Sequence, residues 1–256
     1  MPAVFRAASA NLKKLLSGQA LFQPQGQNAA RNLGDCEFQR NVKTEHVDLT
    51  SNEVPEKPIL ARVTTSVNED FKLTCMSFGP VVQALSYMAP VGETYTQAAV
   101  NAGVVNIPAT AKSGDIFDCV DPNTGAKVYG VIFTNVDYSH YNYDPLSGRV
   151  EVLVSPGAAD QVDFTAPAVT ADMGRAFFRV LQFREIRGKL IIRENNLWGP
   201  NQDHVYPLVS FRMNGSQNLI DNGKEPTKVE IDGLIEFDVT QPVGKERGYV
   251  VDLPTA

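Results

Sequence analysis

Polar and apolar residues alternate along one long stretch of the chain, residues 62–75 (RVTTSVNEDFKLTC). The even positions are all polar, whereas the odd positions are mostly apolar, as at Val63, Val67, Phe71, Leu73 and Cys75. An alternation of period two indicates a β-strand with one buried face and one solvated face. Fourteen residues at about 3.3 Å each span roughly 46 Å, which is long for a strand of a globular protein.

A second extended segment, FQRNVKTEHVDLTS from Phe38, precedes this strand, and the loop VPEKP separates the two. The pattern predicts a long β-hairpin over about residues 38–78, followed by a short apolar helix over about residues 80–89 (PVVQALSYMA). A hairpin of this length with a wholly polar face is more than an isolated domain needs. It indicates a sheet that continues into neighbouring subunits.

Strand and turn signals dominate the remainder of the chain. Turn sequences such as DPNTG (121–125) and DPLSG (144–148) separate short alternating segments that are typical of hairpins. The predicted fold class is therefore mainly β, a sandwich or barrel with few helices. We expect one β domain over residues 18–239. It is flanked by an N-terminal arm at 1–17, which carries a helical apolar stripe, and by a C-terminal arm at 240–256.

Composition is consistent with a folded, reduced protein. The chain has 256 residues, 43% of them hydrophobic, which is enough for a core. The sequence shows neither a signal-peptide pattern nor an apolar run approaching the ~20 residues that span a bilayer. Its three cysteines are widely spaced and form no CxxC motif. This pattern argues against a disulfide scaffold or a zinc site and favours reduced thiols made in a cytoplasm.

Charge is distributed unevenly along the chain. Residues 1–34 contain four basic residues and no Asp or Glu, so they carry +4, whereas the remainder has 19 basic and 29 acidic residues and carries −10, which gives the chain its net charge of −6. A basic arm beside an acidic body suits head-to-tail self-association, although a solvated tail with incidental charge is the alternative. Nucleic-acid binding by the acidic body is not expected, because its net charge repels phosphate.

Several local groups of residues resemble sites but favour structural roles. The loop at 121–125 has oxygen donors yet lacks the bidentate Glu of a calcium loop, so it is expected to be a turn. No GxSxG elbow accompanies His46, His140 or His204, which argues against a catalytic triad. Aromatic alternation in a hairpin is typical of sheet packing or an oligomer interface rather than a ligand patch. The residues concerned are Tyr138, His140, Tyr141 and Tyr143.

Two further groups have alternatives of the same kind. Lys13 and Lys14, followed by two leucines, could touch a membrane surface, but two lysines are few and subunit docking is preferred. Trp198 precedes a Gly-Pro turn and is most simply a core or interface anchor. With three histidines in the whole chain and no catalytic motif, the sequence does not indicate an enzyme, a cofactor or a metal site.

The order of these elements resembles the major tail tube proteins of long-tailed (siphophage-type) bacteriophages over most of the chain. The similarity rests on order and spacing rather than on one sharp motif. It is carried by the segments GQALFQPQG, RNLGDCEF, LTCMSFGPVVQALSYMA, VDYSHYNYDPLSGRVEVL, KLIIRENNLWGPNQDHVYPLVSFRMNG and VEIDGLIEFDV. The chain departs from the family in its extension before Gly18 and in lacking an evident immunoglobulin-like domain at its C-terminus.

The resemblance implies a tail-tube-type β fold and a structural role in a virion tail, assembled in the cytoplasm of the bacterial host. Family members form hexameric rings that stack into a hollow tube, in which one sheet per subunit joins a continuous barrel around the lumen. Full closure removes sheet edges. DNA passes through the lumen without specific binding. Partners would be further copies of the chain and the tape-measure, tail terminator and baseplate proteins, with no membrane involved.

The same resemblance assigns roles to particular residues. The polar positions of the second hairpin strand would face the lumen, namely Arg62, Thr64, Ser66, Asn68, Asp70 and Lys72. The hairpin loop and the basic arm would contact the adjoining ring, through Val54, Pro55, Glu56, Lys57, Pro58, Arg6, Lys13 and Lys14. The alternative function is a β-sandwich binding module of a virion, such as an adhesin or carbohydrate binder.

Overall fold

The computed structural model describes residues 16–50, 59–212 and 227–253 of the chain. These residues are mainly β, as predicted, and their paired strands are antiparallel. In chain order the strands are β1 (Gly18–Pro24), β2 (Arg31–Asn32), β3 (Cys36–Thr50), β4 (Ile59–Cys75), β5 (Val100–Ile107), β6 (Ile116–Asp118), β7 (Ile132–Thr134), β8 (Tyr141–Asp144), β9 (Arg149–Val152), β10 (Asp160–Ala166), β11 (Ile186–Glu194), β12 (Gln202–Arg212), β13 (Val229–Ile235) and β14 (Tyr249–Asp252). The helix α1 covers Pro80–Ser86, and a 3-10 turn covers Ala171–Met173.

The chain divides into two compact units, Met1–Gly92 with Phe178–Ala256, and Glu93–Phe177. Each unit has its own cluster of buried apolar side chains. The sequence predicts one domain over residues 18–239, and two cores form within that range. Alternation predicts that a strand has a buried face, but it does not tell which strands share a core.

The first unit is built on one large sheet with the strand order β2-β1-β11-β12-β13-β4-β3. The sheet is open over the part of the chain that the structure describes, with β2 and β3 at its ends, and is not a closed barrel. The expected C-terminal arm contributes β14, which pairs with residues 202–205 of β12. Part of that arm is therefore an ordered strand of the sheet.

Aromatic rings hold the core of the first unit together. Phe211 on β12 contacts Phe22 on β1 and Phe71 on β4 edge-to-face, with ring centroids 4.8 and 5.3 Å apart, respectively. Phe38 on β3 lies 5.5 Å from Phe71. Such ring pairs contribute about 0.5–1.5 kcal/mol each beyond the area that they bury. The two contacts of Phe211 thus link strands that are not adjacent in the sheet, whereas Phe38 and Phe71 lie on neighbouring strands.

The predicted helix at about 80–89 is confirmed as α1, although it ends at Ser86. Pro80 occupies the first turn, where a missing backbone N–H is tolerated. Three residues of α1, Val81, Val82 and Leu85, are buried in the core of the first unit. A helix of seven residues is not stable alone, so its stability comes from packing against this core.

The second unit consists of two three-stranded antiparallel sheets, β5-β10-β7 and β6-β9-β8. Its core includes Tyr141, Val150 and Phe164, all almost completely buried. Gly103 on β5 lies opposite Phe164 on β10, and a Cβ at Gly103 would lie 2.2 Å from the Phe164 ring. The ring therefore packs directly over the glycine.

The long hairpin is confirmed, with β3 and β4 paired along their lengths. The face expected to be buried is buried only near the base of the hairpin, which we call the root. Phe71 is 2% exposed there, whereas Val63 and Val67 are 46% and 39% exposed. The reason is that β13 pairs only with residues 70–75 of β4. The core beneath the hairpin ends where β13 stops supporting it.

Gly233 offers a test of this packing. It lies opposite Phe71 in the β13–β4 pair, and a Cβ there would be 2.0 Å from the ring. We expect Gly233→Ala to cost about 1–3 kcal/mol in free energy of unfolding, because the ring and backbone must shift. Urea denaturation measures this. The control is Gly79→Ala, where the added Cβ meets nothing within 4 Å. Equal losses in both variants would contradict the packing.

Candidate functional site

The outer half of the hairpin is the most unusual surface of the first unit. It comprises residues 42–50 of β3 and 59–69 of β4. All side chains of the β3 segment are exposed, and none of those described in the β4 segment is buried. Residues 59–69 of β4 pair with no described strand other than β3, although Arg247 donates a hydrogen bond to the Val67 carbonyl at 2.6 Å. The hairpin therefore projects from the sheet with both faces in solvent.

A β-bulge at Thr65 changes which side chains share a face. Ser66 donates a hydrogen bond to the Glu45 carboxylate at 2.9 Å, whereas Thr64 contacts the His46 ring at 3.2 Å. Glu45 and His46 are neighbours on β3 and point to opposite faces. Ser66 and Thr64 must then also lie on opposite faces, with Thr65 as the extra residue between them.

The bulge divides the six positions expected to face a lumen. Four of them, Ser66, Asn68, Asp70 and Lys72, share one face of the hairpin. Arg62 and Thr64 lie on the other, so the prediction that all six share one face is wrong. A bulge of one residue reverses the alternation beyond it, and the sequence carries no sign of where the register shifts.

The face that carries the four residues is polar from the root to the bulge, and we call it the polar face. On β3 and β4 it consists of Glu37, Gln39, Asn41, Lys43, Glu45, Ser66, Asn68, Asp70, Lys72 and Thr74, and β13 extends it with Glu230 and Asp232. It has five acidic and two basic side chains. All twelve are at least partly exposed.

Both lysines of the polar face are held by carboxylates. Lys43 Nζ lies 2.6 Å from Asp70, and Lys72 Nζ lies 2.7 Å from Glu230. These hydrogen bonds raise the pKa of each lysine above its ordinary value. Since each cation is paired, the face presents hydroxyls, amides and surplus carboxylates to solvent.

The opposite face has its own ion pairs. Arg62 holds Asp48 with two hydrogen bonds, at 2.7 and 3.0 Å, and this contact lowers the pKa of the Asp48 carboxyl. Nearer the root, Arg40 contacts Glu69 at 2.8 Å. Its hydrogen bond with Tyr206, more than the Glu69 charge, raises the pKa of the guanidinium.

Beyond the bulge the polar face gives way to exposed apolar side chains. Val47 pairs with Val63, and Leu49 pairs with Ala61. We call these four residues the tip patch. Val47, Leu49 and Val63 are 49%, 52% and 46% exposed. Alternation along β4 alone would have placed Val63 on the buried face. The register with β3 moves it to the face of Ser66.

The residues expected to contact an adjoining ring lie outside the described residues. This applies to the hairpin loop residues Val54, Pro55, Glu56, Lys57 and Pro58, and to Arg6, Lys13 and Lys14 of the N-terminal arm. Their role remains a prediction from the resemblance.

The loop at 121–125 forms a closed turn. The Asp121 carboxylate accepts hydrogen bonds from the Asn123 N–H and the Thr124 hydroxyl, both at 2.9 Å, and these bonds lower its pKa. Gly125 has a positive φ of 70°, which favours glycine at the end of the turn. Both carboxylate oxygens therefore accept hydrogen bonds within the turn. The loop is a turn, as the sequence predicts.

The aromatic residues of the second unit contact one another but differ in burial. Tyr141 is buried and donates a hydrogen bond to Asp160 at 2.7 Å, and burial raises the pKa of its hydroxyl. Tyr138 is 69% exposed and meets Tyr143 edge-to-face at 5.4 Å. The predicted role in sheet packing fits Tyr141, whereas Tyr138 faces solvent. Trp198, expected as an anchor, is 53% exposed in the first unit.

Ser139, His140 and Asp137 are close together without the geometry of a catalytic triad. The Asp137 carboxylate and the Ser139 hydroxyl both contact Nδ1 of His140, at 2.7 and 3.0 Å. A triad needs the serine on one ring nitrogen and the carboxylate on the other. Hydrogen bonds from Ser139, and then from His140, lower the pKa of Asp137 to about 2. The cluster is a local turn.

A cleft of about 480 Å³ was not anticipated from the sequence. It lies on the core side of the first sheet, where β1 and β3 approach. Ala20, Phe38 and Ile192 line it, and His204 beside it contacts Glu194 at 3.2 Å. Cys36 also faces this cleft. Its walls come from residues far apart in sequence, so no local pattern could have revealed it.

The described residues offer neither a metal site nor a membrane-spanning helix. No group of three or more His, Cys, Asp or Glu side chains there could hold a metal ion. Likewise, no helix in that part of the chain is long and apolar enough to cross a membrane. Comparison of the sequence with protein-family models and with curated proteins finds no match.

The Arg62–Asp48 pair tests the bulge directly, because without it Arg62 would lie on the face opposite Asp48. We expect Arg62→Gln to raise the pKa of Asp48 towards its ordinary value, as the hydrogen bond that lowers it is lost. In the parent, this contact stabilises the folded protein when the pH is above the pKa that Asp48 has in the unfolded chain. The contribution is lost as the pH falls through the lower pKa that Asp48 has in the folded protein.

NMR titration of the aspartate carboxyls measures the shift. Asp144 is the internal control, because the Ser147 hydroxyl lowers its pKa in the second unit and Arg62 plays no part there. An Asp48 titration that is unchanged in Arg62→Gln would contradict the assigned register.

Proposed function

We propose that this chain is a structural protein of a bacteriophage tail, which self-assembles into stacked rings that form the hollow tail tube. The rings would be hexameric, as in the family that the sequence resembles, and DNA would pass through their lumen to the host. Assembly would take place in the cytoplasm of the bacterial host. The partners are other copies of the chain and the tape-measure, tail terminator and baseplate proteins. No catalytic step or cofactor is part of this proposal.

The observation that carries the proposal is the projecting half of the hairpin. An isolated two-stranded ribbon is marginally stable in water, because it has no core on either face. Here β4 has 17 residues, of which six pair with β13. Contact with neighbouring subunits would supply the missing partners for the rest.

The edges of the hairpin support the same proposal. β3 is the terminal strand of the sheet, and one edge of its 15 residues is unpaired among the described strands. Such a row of free N–H and C=O groups is a template for pairing with another chain. Closing the hairpins of several copies into a ring would remove these edges. The tip patch adds apolar area that such contacts would bury.

The polar face suits the wall of a DNA conduit. A basic wall would hold phosphates by counterion release, whereas a neutral or acidic wall lets a polyanion slide. The polar face has more acidic than basic side chains, and both of its lysines are paired with carboxylates. We therefore propose that Ser66, Asn68, Asp70 and Lys72 line the lumen, and that Arg62 and Thr64 do not.

The second candidate is a binding module of a virion, such as an adhesin or carbohydrate binder. The exposed ring of Tyr138 favours it, since aromatic rings in solvent commonly mark recognition surfaces. In that case the hairpin would stay solvated and the protein would remain monomeric while binding a glycan. The two candidates therefore differ in the first experiment below.

Self-association tests the role of the hairpin. We expect the parent protein to form rings or tubes at high concentration, and Val47→Lys with Leu49→Lys to weaken association roughly 10- to 100-fold. The reason is that two half-exposed apolar side chains become charged at the interface. Analytical ultracentrifugation over a concentration series measures the effect, and circular dichroism checks that the variant is folded.

The control variant is Thr110→Lys with Ser113→Lys, which adds the same charge at exposed positions of the second unit. A parent that stays monomeric at every concentration would argue against assembly. Undiminished association of a folded tip variant would show that the tip patch is not in the interface.

DNA release tests the lumen assignment. We expect Ser66→Lys with Asn68→Lys to permit tails but slow release, because added cations within a Debye length (~8 Å) give the moving phosphates places to bind. The variant would complement a phage lacking its own copy of this chain, with Thr110→Lys and Ser113→Lys as control. Release at the normal rate from intact variant tails would sink the lumen assignment.

A further inference from the structure

Two cysteines lie directly opposite each other at the root of the hairpin. Cys36 on β3 pairs with Cys75 on β4, and their sulfur atoms are 2.7 Å apart. Both are free thiols. Opposed residues of antiparallel strands have Cα atoms about 4.5–5.5 Å apart, which lies within the range that a disulfide spans. The strand register alone therefore places this pair within bonding reach.

The two thiols have different surroundings. Cys75 is completely buried in the core, whereas Cys36 is partly exposed and lines the cleft beside β1. The contact between the two thiols lowers the pKa of Cys36, while the same contact and burial raise the pKa of Cys75. An accessible thiol with a lowered pKa reacts first with oxidants, and a thiol behind it can resolve the product.

The third cysteine provides a comparison within the molecule. Cys119 is buried in the core of the second unit, and burial raises its pKa to about 12. No other cysteine accompanies it in that core. It has neither the exposure nor the partner of Cys36, so we expect it to be inert.

We propose that Cys36 and Cys75 form a redox-sensitive dithiol that a hydroperoxide closes to a disulfide at the root of the hairpin. Cys36 is the attacking thiol and Cys75 the resolving thiol. The proposal goes beyond the tail-tube function and does not depend on it, since it rests on the register, the sulfur contact and the cleft.

The chemistry balances with hydrogen peroxide as the oxidant. The Cys36 thiolate attacks one peroxide oxygen and the O–O bond breaks. The products are a sulfenic acid at Cys36 and a free hydroxide ion. Cys75 gives its proton to that hydroxide, and its sulfur attacks the sulfenic sulfur. The S–O bond breaks, and the departing hydroxide takes up the proton first lost by Cys36. The dithiol loses two electrons, and the peroxide is reduced to two waters.

The disulfide would link the two strands of the hairpin to each other at its root. The two cysteines are 39 residues apart in sequence, so the crosslink would close a loop that contains nearly the whole hairpin. Closing such a loop restricts the unfolded chain. We expect the melting temperature of the oxidised protein to rise by about 5–10 °C and to return to its starting value with dithiothreitol.

Peptide mapping of the intact chain tests the proposal. The reduced protein is treated with limiting hydrogen peroxide, its free thiols are alkylated, and it is digested without reduction. We expect a linked peptide pair containing Cys36 and Cys75, a mass loss of about 2 Da for the two hydrogens, and alkylated Cys119. Oxidation of Cys119 in preference to the pair, or Cys36 accumulating as sulfinic acid without a link, would overturn the proposal.

Variants separate the two roles. In Cys75→Ala, the sulfenic acid at Cys36 should persist and be trapped by dimedone, whereas Cys119→Ala should form the link as the parent does. No dimedone adduct in folded Cys75→Ala would overturn the assignment of Cys36 as the attacking thiol. If Cys75→Ala does not fold, the map of the parent protein decides the proposal alone.

Discussion

The extent of the core beneath the β3–β4 hairpin is the constraint on which the rest of the account depends. Near the root, Phe38, Phe71 and Leu73 pack into a buried core, and β13 holds the free edge of β4. From residue 69 of β4 towards the tip, β13 no longer pairs with β4, although the hairpin continues. An unsupported ribbon has little reason to be stable alone, so its stability is linked to whatever covers it.

The bulge at Thr65 determines what the ribbon can offer to a partner. Inside the bulge, the polar face is hydrophilic and both of its lysines are paired with carboxylates. Outside it, Val47, Leu49 and Val63 occupy the same face. One face therefore combines a hydrophilic inner part with an apolar tip, and these are the properties that a channel wall and a subunit contact require, respectively. The residue inserted in β4 brings Val63 onto this face beside Val47 and Leu49 of β3, because side chains alternate with period two.

Sequence reasoning predicted what depends on local pattern. The period of two in residues 62–75 indicated β4, and the apolar run after Gly79 indicated α1. It failed where the answer depends on which strand pairs with which. Alternation predicts that Val67 is buried, but it is exposed because the pairing of β13 with β4 ends at residue 70. Tyr138 and Tyr141 look alike in sequence, yet only Tyr141 lies over a core. The cleft and the Cys36–Cys75 pair arise from register and long-range packing.

The central claim is that the hairpin completes itself by joining other copies of this chain around a lumen. Cryo-electron microscopy of the concentrated, purified protein tests it most directly. The account predicts hollow tubes whose inner wall is formed by β3 and β4, with Ser66, Asn68, Asp70 and Lys72 facing the lumen. Particles that remain single copies, or tubes whose inner wall is built from other strands with the polar face outside, would contradict it.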